Sequence, residues 1–407
     1  MKRAKMFTAI ATLAAMSASA HAEIAIDVIG GYEVSLEGLM QADGNWYSND
    51  VLDLNGPSSP PATPGPANND GKDTEFEQRR AEVILKGKGT SFDWVAGYDG
   101  KANKWLDVNV KWKLGNSYLI GGQFKQPNSL EELSSTRHND FISKAMVTNL
   151  FGVARRVGVA WGDDEPNWGY SINAFGRELT RNLGEGAGFG GRAYWAPFNR
   201  PGSWLHFGIS AVDYDTHVDT LRLRVRPDAD LSTGRLVDTG NFTDADRQRT
   251  YGLEGVWVNG PFKVQSEYMR SSVERLKHDN FSGDSWYVQG VWNITGETWG
   301  YKAGVPTTPL PNEPASGMWQ VGIRYDKTDL DDGFIKAPTS PSGFPTAAGV
   351  LGGNENNVTL GVNWYWHSNF KFMLNYVKVS SERFSSATHA VLGDDPSIFE
   401  VRAQFYW

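Results

Sequence analysis

Cationic side chains are concentrated in three parts of this sequence, and their types suggest one common chemistry. The clusters are Arg79 and Arg80; Arg222, Arg224 and Arg226; and Lys125, Arg137, Lys144, Arg155 and Arg156, which lie in or beside segment 126–154. Arginine stays charged and presents a planar fork of donors that fits phosphate oxygens, whereas lysine acts as a point charge. The clusters therefore predict a path along which small oxyanions bind.

A single residue of this set could be an ordinary surface charge, so the prediction rests on the clustering. The whole chain has a formal charge of −8, which argues against nucleic acid as a partner and makes the cationic segments stand out. Ionic screening acts over ~8 Å at physiological salt, so local charge decides the preference of a narrow passage. We expect the clusters, and not the net charge, to set the selectivity.

Catalytic and metal chemistry find little support in the sequence. The chain has no cysteine, which excludes disulfides and thiolate metal sites. His206 and Ser210 could be imagined in a hydrolytic set, but no spacing supports it. We therefore expect no cofactor, and an outer-membrane hydrolase is kept only as a remote alternative.

The beginning of the chain has the pattern of an export signal. Three cations, Lys2, Arg3 and Lys5, precede a short apolar run, and Ala20-His21-Ala22 has the form of a cleavage site. We predict a signal peptide at 1–22 and a mature domain at 23–407. Removing the three cations would change the formal charge from −8 to −11.

The elements that must position the cations are amphipathic strands. In 105–114, Leu106, Val108 and Trp112 are expected on one face, with Asp107 and Lys111 on the other. Alternation of this kind is typical of a half-buried strand, in a soluble sandwich or in a membrane barrel. Aromatic residues make up 13% of a chain whose mean hydropathy is −0.44, which favours a barrel with aromatic residues on its outer wall.

Strand number and loop lengths separate these two folds. Sixteen strands are predicted: 31–46, 75–87, 91–99, 105–114, 117–125, 155–162, 167–177, 189–196, 204–213, 250–258, 262–272, 285–294, 317–326, 357–366, 370–380 and 398–407. Short and long connections alternate, with exceptions at 100–104 and 295–316. An even number of strands with this asymmetry predicts an all-β transmembrane antiparallel β-barrel of about 16 strands.

Two of the long connections are expected to fold into the barrel. Sixteen strands enclose a water-filled channel, which needs a constriction to become selective. Segment 126–154 contains apolar residues, such as Phe141 and Ile142, that a solvated loop would not need. In 214–249, Leu221 to Arg226 alternate like a strand, but a seventeenth strand would break parity, so we predict an extended arm in the mouth. For Arg79, which precedes the luminal Arg80, we predict an interface or a bulge.

Several segments resemble the phosphate-selective porin O and P family, over most of residues 75–407. They are 121–127 (GGQFKQP), 129–133 (SLEEL), 151–156 (FGVARR), 295–297 (TGE), 319–325 (WQVGIRY), 356–365 (NNVTLGVNWY) and 372–377 (FMLNYV). The resemblance implies a trimeric sixteen-strand barrel with inward loops, a row of arginines, and an eyelet of lysines with an acidic partner. By motif position it places Lys125 beside the constriction, and Asp99 is the expected acidic partner.

The expected function is therefore that of a passive anion channel in the bacterial outer membrane. Phosphate, polyphosphate or another small anion would be the cargo, and outer-membrane lipids would surround a homotrimer. A general or sugar-type diffusion porin is the alternative. That alternative would need aromatic residues and carboxylates at the constriction in place of arginines.

Overall fold

Strands dominate the computed structural model, which describes residues 24–29, 32–56, 73–180 and 186–407. The predicted signal peptide, 1–22, lies outside the described residues. The strands are β1 (Ile24–Ile29), β2 (Tyr32–Ser48), β3 (Thr74–Lys88), β4 (Phe92–Asp99), β5 (Lys104–Leu114), β6 (Ser117–Lys125), β7 (Arg155–Asp164), β8 (Trp168–Phe175), β9 (Gly188–Arg200), β10 (Ser203–Asp215), β11 (Ala245–Asn259), β12 (Phe262–Arg275), β13 (Phe281–Asn293), β14 (Gly300–Lys302), β15 (Val305–Thr307), β16 (Met318–Lys336), β17 (Thr346–Trp366), β18 (Phe370–Ser385), β19 (Ala390–Asp394) and β20 (Ser397–Tyr406).

Sixteen of these strands close one antiparallel barrel. From β2 to β13 each strand pairs with the next, β13 then pairs with β16, and β17, β18 and β20 follow. Strand β2 pairs with β20 as well as with β3, and this pairing closes the barrel. Beyond the two ends of β20, β1 pairs with β2 and β19 pairs with β18. Strands β14 and β15 form a separate hairpin. The predicted barrel of sixteen strands is confirmed.

Burial along the strands is the reverse of that in a soluble protein. On β10, Phe207 and Ile209 are 50% and 60% exposed, whereas His206, which precedes Phe207, is fully buried. On β20 the polar Glu400 and Arg402 are buried, and Phe399 is exposed. Apolar residues on the outside and polar residues on the inside are what a barrel in lipid requires. This distribution excludes the soluble sandwich.

The two ends of the barrel differ in the length of their connections. One end, called here the short-turn end, has the turns 89–91, 115–116, 165–167, 201–202, 260–261 and 367–369. The other, called the long-loop end, has 49–73, 126–154, 176–187, 216–244, 276–280, 337–345 and the segment between β18 and β20. The brief turn 100–103 also lies at the long-loop end, as the sequence predicted. Strands β16 and β17 extend beyond their predicted ends, to Lys336 and Thr346.

One strand departs from the predicted alternation. Ala96 pairs with Val108 and Tyr98 pairs with Trp105, so that Leu106 and Asp107 together oppose Gly97. The irregularity shifts the faces of β5, and Leu106, expected on the same face as the exposed Trp112, is 2% exposed. A bulge inserts residues into one strand and turns a side chain to the other face. The prediction for Leu106 was therefore wrong.

The end of the chain is fitted into the wall beside β2. The Gly38 N–H donates to the Trp407 carbonyl at 3.0 Å, and a Cβ at Gly38 would lie 2.1 Å from the Trp407 ring. Only glycine leaves room for the indole at this point. The terminal aromatic residue and a glycine in the second strand thus complete the closure together.

Within the described ranges, helical structure is confined to short turns in one loop. These are α1 (Leu130–Leu133), a 3-10 turn (Thr136–His138) and α2 (Met146–Phe151). None of the helices in the described parts of the chain is long and apolar enough to cross a bilayer.

Candidate functional site in the lumen

Loop 126–154, called here the constriction loop, crosses the inside of the barrel. It leaves the wall after β6, and its residues Ala145, Met146 and Val147 are fully buried. Met146 and Phe151 belong to an apolar cluster that also contains Phe281 and Tyr287 of β13. Burial of these apolar side chains explains why the loop lies inside the barrel, as its composition predicted.

Polar side chains of the wall hold the backbone of the constriction loop. The Glu267 carboxylate on β12 accepts hydrogen bonds from the N–H groups of Leu130 and Glu131, both at 2.8 Å. Five wall side chains donate further hydrogen bonds to carbonyl groups of the loop. They are Arg324 to the Ser143 carbonyl (3.0 Å), Lys371 to that of Asn139 (2.5 Å), Asn363 to that of Asp140 (2.7 Å), Arg402 to that of Ile142 (2.7 Å) and Gln404 to that of Arg137 (2.9 Å). Buried backbone groups need such partners, and here the wall supplies them. The loop is therefore fixed across the lumen.

A second loop, 216–244, fills part of the mouth and is called here the mouth loop. Leu223 and Val225 are buried against the apolar cluster of the constriction loop, whereas Arg222 and Arg224 are exposed. The arm forms two isolated bridges, Leu221 to Phe242 and Arg224 to Asp238, and joins no strand of the barrel. The prediction of an extended arm in the mouth is confirmed.

A bulge in β3 brings two adjacent arginines to the lumen. Gln41 pairs with Arg80, and the next residue of β2, Ala42, pairs with Gln78, which leaves Arg79 as an extra residue. Successive residues of a regular strand point to opposite faces, and the bulge removes that constraint. The guanidinium of Arg79 lies 3.2 Å from Asp230 of the mouth loop, and that of Arg80 lies 2.9 Å from Glu82. The bulge predicted for Arg79 is confirmed.

Below the mouth loop, a cavity of about 380 Å³ collects charged side chains from both sides of the lumen. Among the described residues, its cationic lining is Arg79, Arg80, Lys104, Lys144, Arg155, Arg156 and Arg402, and its anionic lining is Glu132, Glu178 and Asp230. We call it the central cavity. Seven cations against three carboxylates give this space a cationic surplus, although the chain as a whole is acidic.

The cations of the central cavity differ in how far they are already paired. Arg155 donates two hydrogen bonds to Asp107, at 2.8 and 3.1 Å, and Lys144 forms an ion pair with Glu132. No carboxylate in the described part of the chain lies within 4.0 Å of Arg156, and its Nε has no hydrogen-bond partner there. Arg156 is therefore the cavity residue that is most available to a bound anion.

Glu132 is one of the three acidic groups that line the central cavity. Burial alone would raise its pKa, but the charges of Lys144, Lys125 and Arg155 outweigh burial and lower the pKa of Glu132 to about 2. This carboxylate consequently stays ionised at any physiological pH. The charge of Lys125 thus acts on the Glu132 carboxylate together with those of Lys144 and Arg155, which line the central cavity.

Lys125 lies between the central cavity and a second, smaller one. Its Nζ donates to the carbonyls of Glu132 and Ser134, at 2.5 and 2.9 Å. It also lines a space of about 260 Å³ together with Arg192, Asp164 and Val305. This position beside the constriction loop agrees with the one that the sequence motif implied.

Other predicted residues lie outside the central cavity. Arg137 pairs with Glu37 at 2.9 Å on the wall, and Arg222 pairs with Asp238 at the mouth. Arg224 is exposed beside it, and the Arg226 Nε donates to the Ser232 carbonyl at 2.7 Å. These residues are spread along the lumen and are not gathered at one point.

Asp99 has a different environment from the one expected for an eyelet acid. Its Oδ1 accepts hydrogen bonds from the N–H groups of Ala81, Lys101 and Ala102, at 3.0 to 3.3 Å. It caps the turn 100–103 and is fully buried, and it is not part of the central cavity lining. The acidic groups that face the cations are Glu132, Glu178 and Asp230 instead.

Sequence reasoning missed several residues of the cavity. Arg402 alternates with the apolar Val401 and Ala403 in the predicted strand 398–407, which was a usable signal, but it was not among the predicted cations. It donates to both Asp43 oxygens, at 2.6 and 2.7 Å, and lies 3.3 Å from Asp230. Glu132 belongs to the 129–133 motif but was given no role, and Lys104 and Asp230 carried no distinctive pattern, because their roles depend on how the loops fold.

The long connection at the short-turn end, 294–317, also folds into the lumen. Its Trp299 is fully buried, and Tyr301 bonds His206 at 2.7 Å through its hydroxyl group. The Gly304 carbonyl accepts from Arg192 at 2.6 Å. This inward hairpin explains why the segment is too long for an ordinary turn, and its Val305 lines the smaller cavity together with Lys125.

The contacts of His206 and Ser210 also show whether these two residues are arranged for hydrolysis. Besides Tyr301, His206 bonds Glu254 at 2.9 Å, and the Ser210 hydroxyl donates to the Asn128 carbonyl at 3.2 Å. The His206 ring contacts the wall strand β11 and the hairpin 294–317, and the Ser210 hydroxyl contacts the constriction loop. The contacts of His206 and Ser210 do not form a nucleophile and base pair.

Comparison with known proteins gives a consistent result. The family "Phosphate-selective porin O and P" matches residues 59–407. An uncharacterized protein of Caulobacter vibrioides is 26% identical over 71% of this chain and 59% of its own length, and Porin O of Pseudomonas aeruginosa is 27% identical over 53% of this chain and 52% of its own length. The chain therefore spans between half and three fifths of these relatives.

Solved structures share the fold at low identity. OmpT, an outer-membrane protein of Vibrio cholerae, superposes with a TM-score of 0.57 and 9% identity, covering 94% of this chain and 99% of its own. An anion-selective porin from Comamonas acidovorans gives 0.54 and 10%, covering 92% and 100%. With the family match over 59–407 and the closed sixteen-strand barrel, this chain belongs to the phosphate-selective porin O and P family and is a porin of the bacterial outer membrane.

Proposed function

We propose that this porin is a passive, anion-selective channel whose preferred cargo is phosphate or polyphosphate. The observation that carries the proposal is the central cavity, where seven cationic side chains face three carboxylates. Five of the seven are arginines, whose forks match the oxygens of a tetrahedral oxyanion. A sugar-type porin would need aromatic residues and carboxylates at this point.

Transport in this proposal is a series of exchanges along the lumen. Arg222 and Arg224 at the exposed mouth attract the anion, and Arg79 and Arg80 receive it in the cavity. Each guanidinium replaces part of the hydration shell, and no single site holds the ion strongly enough to stop it. Lys125 then passes the ion to the smaller cavity beside the inward hairpin 294–317.

The proposed assembly is a homotrimer in the outer membrane. Its outward apolar face meets lipid, and the solved structures that share this fold include a trimer form of Vibrio cholerae OmpT. We propose no enzymatic activity, no cofactor and no nucleic-acid partner. Each protomer has its own charged cavity, so conduction does not depend on a shared central pore.

Phosphate block of chloride current tests the proposed cargo. In planar bilayers, phosphate added to a chloride solution should reduce single-channel current at concentrations well below that of chloride, because arginine forks hold phosphate longer. The variant Arg156→Lys keeps the charge but loses the fork, so we expect a half-blocking concentration about tenfold higher, which corresponds to ~1.4 kcal/mol.

The matched control is Arg200→Lys, which makes the same change at an exposed position near the short-turn end. It should leave the block as in the wild type. If phosphate does not alter the chloride current of the wild-type protein, the channel is a general anion pore and the proposed cargo is wrong.

A further inference from the structure

We infer that Asp230 is a tethered counter-anion, which occupies the arginine site of the empty channel and is displaced by the arriving oxyanion. This inference rests on the proposed function and names the group that sets how tightly the cavity holds its cargo. Asp230 belongs to the mouth loop, whereas the arginines it contacts belong to the wall. A carboxylate and a phosphate offer the same kind of oxygen to a guanidinium fork.

The contacts of Asp230 place its oxygens where a bound anion would need to be. One oxygen lies 3.2 Å from Arg79 and 3.3 Å from Arg402, and the other accepts a hydrogen bond from the Ser143 hydroxyl at 3.3 Å. The side chain is 18% exposed and lines the central cavity, so an ion in the cavity can reach the same guanidinium groups.

The wall arginines differ in whether they need Asp230. Arg402 has Asp43 and Arg80 has Glu82 as partners on the wall itself. For Arg79, Asp230 is the only carboxylate within 4.0 Å in the part of the chain that the structure describes. Displacement of Asp230 therefore leaves Arg402 and Arg80 paired and makes the fork of Arg79 available to the cargo.

The surrounding arginines keep the Asp230 carboxylate ionised. Burial would raise its pKa, but Arg79, Arg402, Arg80 and Arg226 together hold the pKa of Asp230 well below its usual range. The carboxylate thus competes with the cargo as a permanent anion. Such competition weakens binding and speeds release, as a channel requires.

The variant Asp230→Asn tests the inference with little change in shape. It keeps the side-chain size and a hydrogen-bonding oxygen for Ser143 but removes the negative charge. We expect the half-blocking phosphate concentration to fall about tenfold, and phosphate dwell times in single-channel records to lengthen correspondingly. Asp230→Ser should act in the same direction, and the heat-dependent mobility of both variants on gels reports whether they fold.

Two controls distinguish displacement from a general gain of positive charge. Glu274→Gln removes one charge beside the exposed Arg249, outside the central cavity, and should change the half-blocking concentration by less than about twofold. In an Arg79→Gln background, Asp230→Asn should lose most of its effect, because the fork that it releases is absent.

An unchanged or higher half-blocking concentration in Asp230→Asn overturns the inference, as does a full effect in the Arg79→Gln background. Failure of the proposed function looks different. In that case the wild-type current itself is insensitive to phosphate, and the variants have no block to change.

Discussion

Replacing Arg156 with glutamate is expected to abolish both anion preference and phosphate block. Arg156 lines the central cavity and has no carboxylate partner within 4.0 Å among the described residues, so its charge acts directly on the passing ion. At an effective dielectric constant of ~20, a unit charge 4 Å from an ion contributes ~4 kcal/mol. Reversing that charge removes the attraction and adds a repulsion, so the half-blocking concentration should rise more than a hundredfold.

The effect should be local. Lys336→Glu makes the same type of charge reversal at an exposed position at the end of β16, and screening over ~8 Å should hide it from the cavity. Reversal potentials and phosphate titrations of both variants check the prediction. Equal behaviour of the two variants would show that the net charge of the protein, and not the cavity, sets selectivity.

Removing the charge of Arg402 should have the largest effect on stability. The side chain is 3% exposed, donates to both oxygens of Asp43 and holds the carbonyl of Ile142 in the constriction loop. The variant Arg402→Met leaves Asp43 buried without a cation, which typically costs 3–5 kcal/mol. We therefore expect a lower temperature for conversion of the folded to the unfolded gel form, and a larger, noisier conductance.

Two further variants make this prediction specific. Arg222→Gln breaks an ion pair whose arginine is 39% exposed, and a surface pair of that kind contributes ~0–1 kcal/mol. The double variant Arg402→Met, Asp43→Asn removes both buried charges and should recover much of the lost stability. If Arg402→Met melts at the wild-type temperature, the pair with Asp43 does not hold the fold.

The strands could be predicted because lipid and water impose a simple pattern on them. Phe207 and Ile209 must face lipid and His206 must not, and this requirement repeats every second residue of the strands. Arg80 was assigned to the lumen by the same rule. The two consecutive arginines at 79 and 80 violate the rule, and that violation predicted an interface or a bulge, of which the structure has the bulge.

The site was harder to predict from the sequence than the strands, because its geometry comes from loops whose residues follow no such period. Asp230 meets Arg79 across 151 residues and Arg402 across 172, and no local pattern reports these contacts. Asp99 was expected to be the acidic group of the eyelet, but its carboxylate accepts hydrogen bonds from N–H groups of the adjacent turn instead. Charge type selected the candidate residues, but only the fold of the loops decides which of them meet.

The reversal potential of the wild-type channel in a potassium chloride gradient tests the central claim most directly. The claim is that the cationic surplus of the central cavity governs permeation in a protein of net negative charge. A potential close to the equilibrium value of chloride is the predicted result. A reversal potential close to the equilibrium value of potassium would contradict this claim, although the barrel fold would be unaffected.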